Sequence, residues 1–151
     1  GESAYEGCLE LSSLKLSKSL TSIGQRVFYR CQSLTNIELP CSVTEIGNYA
    51  FKGCSLLKSI TIPNSVSSIG VSAFADCRGL SSILLPPSIT SIGGGAFNSC
   101  SSLVSIELPK GITEIGEGIF ADCSHLETIF VHEGVTYQSD TFSSNAKIVT
   151  R

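Results

Sequence analysis

Methionine is missing altogether, the initiator included, so Gly1 reads as a processed or engineered start. The lack of a visible signal peptide therefore says nothing about compartment. No apolar run reaches about 18 residues, which excludes a transmembrane helix and direct membrane insertion by that route. Charge is scarce, at 15% of residues against about a quarter in an ordinary domain. The net charge of −3 argues for no nucleic-acid or polyanion partner. No Asn-x-Ser/Thr sequon occurs, which is neutral, and no two cysteines stand as Cys-x-x-Cys.

Histidine is nearly absent too. His125 and His132, with Cys123 and Glu133, look like a metal cluster on paper. A strand between the two histidines would hold them roughly 23 Å apart, too far for one ion. His132-Glu133 lacks the second histidine of a zinc-protease helix. Gly70-Val71-Ser72-Ala73-Phe74 lacks the second glycine of a nucleophile elbow, and Ser72 has no placed histidine. Gly111 to Gly116 has phosphate-loop spacing, but Glu117 stands where lysine is needed. The reading is a non-enzyme with no cofactor and no metal.

What is present is a period. Cysteines stand at Cys8, Cys31, Cys54, Cys77, Cys100 and Cys123, every step 23 residues. Phe28, Phe51, Phe74, Phe97 and Phe120 keep the same step, with Tyr5 one step earlier, and so do Gly24, Gly47, Gly70, Gly93 and Gly116. A fixed period of about 20–50 residues marks a solenoid or propeller array. Leu11 opens a ladder that returns at Leu34, Leu57, Leu80, Leu103 and Leu126. Ladders starting at Leu14 and Leu16 are spaced as alternate residues of a strand with one face buried. Pro40, Pro63, Pro86 and Pro109 end that strand. A second extended pair follows, such as Val43 and Ile46, and then the glycine row, expected at a positive-φ turn. Ala50 to Cys54 is expected to form one short helical turn.

The predicted fold is an α/β, right-handed solenoid. Each 23-residue coil has one strand of a parallel sheet, a second short extended segment and a helical turn. The chain forms one domain. Residues 1–10 are a partial N-terminal coil, read as the end of a truncated array. Residues 11–125 are five regular coils. Residues 126–151 are a degenerate coil and C-terminal cap, in which Ile148 and Val149 tuck back over the open end. The first full coil has a mildly basic end, Lys15, Lys18, Arg26 and Arg30, read as a solvated edge.

The six cysteines of the row are expected to be buried thiols, small apolar spacers bonded to turn carbonyls. Cys41 falls outside the row. Its equivalents Lys18, Asn64, Pro87, Lys110 and Glu133 make the place exposed, and it reads as a chance substitution, a free thiol or an intermolecular link.

The leucine–isoleucine strand, the proline, Ser-Val-Thr-x-Ile-Gly and Ala-Phe-x-x-Cys together resemble the BspA-like leucine-rich repeats, from Ser3 to about Val131. The resemblance implies that fold, adhesion or host contact, and a cell-surface or secreted location, with no catalytic residues to carry over. The positions the fold leaves free are informative. The row Lys15, Glu38, Thr61, Leu84, Glu107 and Phe130 points outward on the sheet face, the concave surface that solenoids commonly use for binding. The expected function is non-catalytic binding of a protein or glycan through that row. An intracellular (cytoplasmic) scaffold and an architectural spacer are the alternatives. An enzyme with its site at one end of the array is the reading from another class, and the two histidines are its only foothold.

Overall fold

The computed structural model describes residues 2–142 and 144–151. It is a β-solenoid of about six turns. Ten strands follow in chain order: β1 (Ser13–Lys15), β2 (Ser22–Ile23), β3 (Asn36–Glu38), β4 (Glu45–Ile46), β5 (Ser68–Ile69), β6 (Ser91–Ile92), β7 (Ser105–Glu107), β8 (Glu114–Ile115), β9 (Thr128–Val131) and β10 (Lys147–Thr150). All pairings are parallel.

The second extended segment makes the longer sheet. Strands β2, β4, β5, β6 and β8 lie side by side, joining Ile23, Ile46, Ile69, Ile92 and Ile115 in 23-residue steps. The leucine–isoleucine strand pairs as β1–β3 at one end and as β7–β9–β10 at the other. Between them its ladder narrows to one bridge, Thr61 to Leu84.

The expected helical turn is not there, and the α in the α/β class is corrected. Among the described residues every element is a strand. The reason lies in where the donors go. In the turn segment the Tyr49, Phe51 and Gly53 amides donate to Val71, Ala73 and Ala75 carbonyls of the next coil. The intervening Ala50, Lys52 and Cys54 amides close i→i−3 turns onto Gly47, Tyr49 and Phe51. A helix would direct every donor to its own i−4 carbonyl and leave none to join the coils. Positive φ at Tyr49 (59°) and Gly53 (80°) interrupts the right-handed run twice per coil.

The glycine row is also corrected. Gly47, Gly70 and Gly93 do not sit at positive φ; that conformation falls two residues later, at Tyr49, Ser72 and Gly95. Close approach of the preceding coil requires them instead. A Cβ on Gly70 would lie 2.6 Å from the Asn48 backbone nitrogen.

The core is built from the ladders. Phe28, Phe51, Phe74, Phe97 and Phe120 are fully buried. Their rings stack at 5.2–5.8 Å between centroids, with Tyr5 as the first rung. Phe142, one residue out of step, still supplies a last rung at 6.0 Å. Stacked Leu, Ile and Val rows fill the rest, each side chain contributing about 1.5–3 kcal/mol of gross burial. The Ser-Val-Thr motif joins coils through its side chains. Ser42, Ser65 and Ser88 hydroxyls donate to Leu20, Val43 and Val66 carbonyls at 2.6–2.7 Å, and the hydroxyl two residues on repeats the pattern at Thr44, Ser67 and Thr90.

The C-terminal segment returns to the open end as a strand. Strand β10 adds to β9 in parallel, Ile148 opposite Ile129 and Val149 opposite Phe130, as the strand of one more coil. Ile148 stays 40% exposed.

Candidate functional site

The strand row comes together as three registered pairs. Lys15 lies opposite Glu38, Thr61 opposite Leu84, and Glu107 opposite Phe130. The pleat turns these six residues away from the core while Ile37, Ile60, Ile106 and Ile129 point into it. Lys15, Glu38 and Thr61 are exposed, and Leu84 is 80% exposed, more than any other large apolar side chain described. The neighbouring outward row of Ser13, Asn36, Ser59, Ser82 and Ser105 is exposed as well, so Leu84 rises from a floor of small polar groups.

At the C-terminal end the row is occupied. The Arg151 guanidinium lies 3.7 Å from the centroid of the Phe130 ring. Its Nη1 donates to Glu107 Oε2 at 2.7 Å, while His132 Nε2 meets Glu107 Oε1 at 3.1 Å. Phe130 is therefore half-buried under the last residue of the chain, not a free apolar contact. Arg151 and His132 were not legible as partners of Glu107, because the degenerate coil breaks the 23-residue offset that pairs residues elsewhere.

The second histidine lies apart from this group. The imidazole Nδ1 of His125 meets the Ser101 carbonyl, at the opposite end of β9 from His132. Among the described residues no group of three His, Cys, Asp or Glu side chains is placed to hold a metal ion.

Five of the six row cysteines behave as expected. The Cys54, Cys77, Cys100 and Cys123 thiols each donate to the phenylalanine carbonyl 26 residues back, and Cys31 to that of Tyr5, at 3.1–3.2 Å. Burial raises the pKa of all five; Cys123 is pushed up to about 11. Cys8 departs from the expectation. It lies in the first, partial coil and is exposed, as is Cys41.

A second group of functional side chains gathers on the turn segment. Arg26 reaches over the rings of Tyr29 and Tyr49, Arg30 over Tyr29, and Lys52 over Tyr49. The 23-residue offset carried this signal: Arg26 aligns with Tyr49, and Tyr29 with Lys52.

The family model described as BspA type leucine rich repeat region matches six copies, over residues 1–66 and 47–150. No curated protein matches the sequence. Among solved structures, a T. pallidum leucine-rich repeat protein (TpLRR) is 30% identical with a TM-score of 0.80, over 92% of this chain and 70% of that one. A leucine-rich cell surface protein of Faecalibacterium prausnitzii is 32% identical with a TM-score of 0.63, over 76% of this chain and 33% of that one. The pneumococcal vaccine antigen PcpA, 24% identical with a TM-score of 0.66, shares the fold over 72% of this chain and 27% of its own length. The chain thus spans most of the first of these and about a third or less of the other two. Period, ladders and these matches agree: the chain belongs to the BspA-type leucine-rich repeat family.

Proposed function

We propose that the chain is a non-catalytic binding module for a protein or glycan, carried by a cell-surface protein. The row Lys15, Glu38, Thr61 and Leu84 is its contact strip, with Glu107 and Phe130 as its closed end. One observation carries the reading. Leu84 stands 80% exposed at the centre of the row, where the fold gives an apolar side chain nothing to pack against. Buried on a partner, one leucine supplies about 1.5–3 kcal/mol, the scale of an interface anchor. A cell-surface setting is supported by the family and by the F. prausnitzii relative, a cell surface protein by name. No helix among the described residues is long and apolar enough to cross a membrane.

The test is binding of labelled chain to extracellular-matrix proteins and intact host cells, beside a Leu84→Glu variant. The exposed position keeps that variant folded, which circular dichroism verifies. Saturable binding lost in the variant supports the strip. Equal binding by both proteins removes the strip from the interaction. Binding by neither returns the chain to a scaffold or spacer.

A further inference from the structure

The turn segment carries a surface that the repeat does not require. Arg26, Tyr29 and Arg30 come from one coil, Tyr49 and Lys52 from the next, and Asp76 and Arg78 from the third. Arg26 Cζ lies 5.3 Å from the Tyr29 centroid and 5.5 Å from that of Tyr49, and Arg30 Cζ lies 5.2 Å from Tyr29. A guanidinium stacked on a ring is held in place while its N–H edge stays free for an acceptor. The ion pairs nearby are long and partly exposed: Arg26 to Glu6 at 3.9 Å, Lys52 to Asp76 at 3.9 Å, Arg78 to Asp76 at 3.8 Å. Such pairs hold their members weakly. Among the described residues Arg30 has no carboxylate within 4 Å.

Charge is segregated here. The chain has 10 basic and 13 acidic residues. The patch takes four of the first (Arg26, Arg30, Lys52, Arg78) and two of the second (Glu6, Asp76). It is therefore +2 on a molecule whose remainder is −5.

The backbone points the same way. Arg26, Arg30 and Tyr49 have φ of 56°, 59° and 59°, in the left-handed region. The matching places in later coils hold Gly95, Gly118, Ser99 and Asp122, whose small or locally bonding side chains suit that region better. Three large side chains are thus held in an unfavourable conformation, all of them in this patch. The turn has positive φ at these two places in every coil, so what sets this patch apart is the size of the side chains that occupy them.

Beside the stacked guanidinium of Arg30 lies a hollow of about 450 Å³, walled by Tyr29, Arg30, Gln32, Lys52, Ser55 and Arg78, with Asp76 beside the last; Arg26 and Tyr49 lie outside it. That volume suits a small ligand of one or two rings. The cations suit a carboxylate, which a guanidinium can hold through two parallel hydrogen bonds. Gln32 and Ser55 suit hydroxyls. Asp76 discriminates between anions, because it accepts from hydroxyl donors and repels a ligand dense in sulfate or phosphate.

We infer that this hollow binds a sugar bearing a single carboxylate, a sialic or uronic acid residue at the end of a glycan. The site is separate from the strand row, and Leu84→Glu leaves it unchanged.

Titration calorimetry on the full chain tests it with four probes: sialyllactose, a glucuronate-terminated disaccharide, lactose and a heparin octasaccharide. One acidic sugar is expected to bind at least tenfold tighter than lactose, and which one does so names the source of the carboxylate. Arg30→Gln and Arg78→Gln, both at exposed positions, each weaken that binding about tenfold with the circular dichroism spectrum unchanged. Asp76→Asn strengthens heparin more than the acidic sugar, because the lost charge repelled the denser anion more while the amide oxygen still accepts from hydroxyls. The inference is overturned if lactose binds as well as both acidic sugars or none of these three binds. It is equally overturned if heparin is the tightest ligand of the unaltered chain, or if neither arginine variant changes the affinity.

Discussion

At Gly70 the nearest backbone atom leaves no room for a single carbon. Gly70→Ala must push two coils apart along the ladder, and is expected to destabilise by about 1–3 kcal/mol. Gly111→Ala is the control. Its Cβ would lie 3.6 Å from the nearest atom, so its effect stays within about 0.5 kcal/mol. Urea midpoints of the two variants decide whether close approach is what the glycine row supplies. The cysteines make a second prediction at this scale. Cys8 and Cys41 are exposed, and the other five thiols are buried and hydrogen-bonded. A thiol reagent at pH 8 should therefore label two sites in the native protein and seven after denaturation. The raised pKa values also fix a sign for stability. A thiol held protonated in the folded state stabilises fully below its ordinary value of 9.0. That contribution is lost as pH rises, for Cys123 between 9.0 and about 11. Each such thiol adds a slope of about 1.4 kcal/mol per pH unit within its window. The urea midpoint should fall steeply above pH 9, and less steeply in Cys77→Ala.

At the scale of the element, the strand and the glycine row mark what sequence can and cannot say. Alternation at Leu14/Leu16, Ile37/Leu39 and Ile60/Ile62 fixes a strand face, and the outward row of six residues follows from it by counting. The turn segment was misread because Ala-Phe-x-x-Cys has the composition of a helical turn. Nothing in the composition says that alternate amides leave for the next coil. The two φ > 0 places per coil are hidden as well, since Arg26, Tyr49 and Ser72 share no side-chain type at one of them. The covered state of Phe130 was out of reach for another reason. It depends on Arg151, 21 residues on, in a coil that has lost the period. Arg151→Ala should uncover that ring and free Glu107. The loss of stability should stay below about 1 kcal/mol, because the pair is surface-exposed, while binding of a hydrophobic dye rises.

Across the whole molecule the coils are interchangeable to a degree that can be measured. Each coil contacts its neighbours through the same ladders, so stability is a sum of coil and interface terms. Deleting Leu57–Gly79 removes one full period and brings Leu56 against Leu80, restoring every register. The shortened chain should unfold in one cooperative step with an m-value about 15% smaller, in proportion to length. Deleting Ser65–Ser67 instead removes three residues between the strand row and Phe74 of one coil, so that coil's strand and its phenylalanine cannot both stay in step with their neighbours, and the transition should be abolished. Survival of both deletions would show that the stack does not set the register.

The inter-coil bonds have one further consequence. Ser65 reaches Val43, 22 residues back, and Cys77 reaches Phe51, 26 residues back, and the backbone ladders fall between or close to these spans. Relative to chain length that separation is about 0.15, the range of mixed domains that fold at intermediate speed. The loop closed in forming each contact is one repeat long, and the entropy of closing it is the same wherever it forms. Folding can thus begin at any two adjacent coils and spread outward. Its rate is set by the repeat length, and lengthening the array adds starting points without adding a slower step.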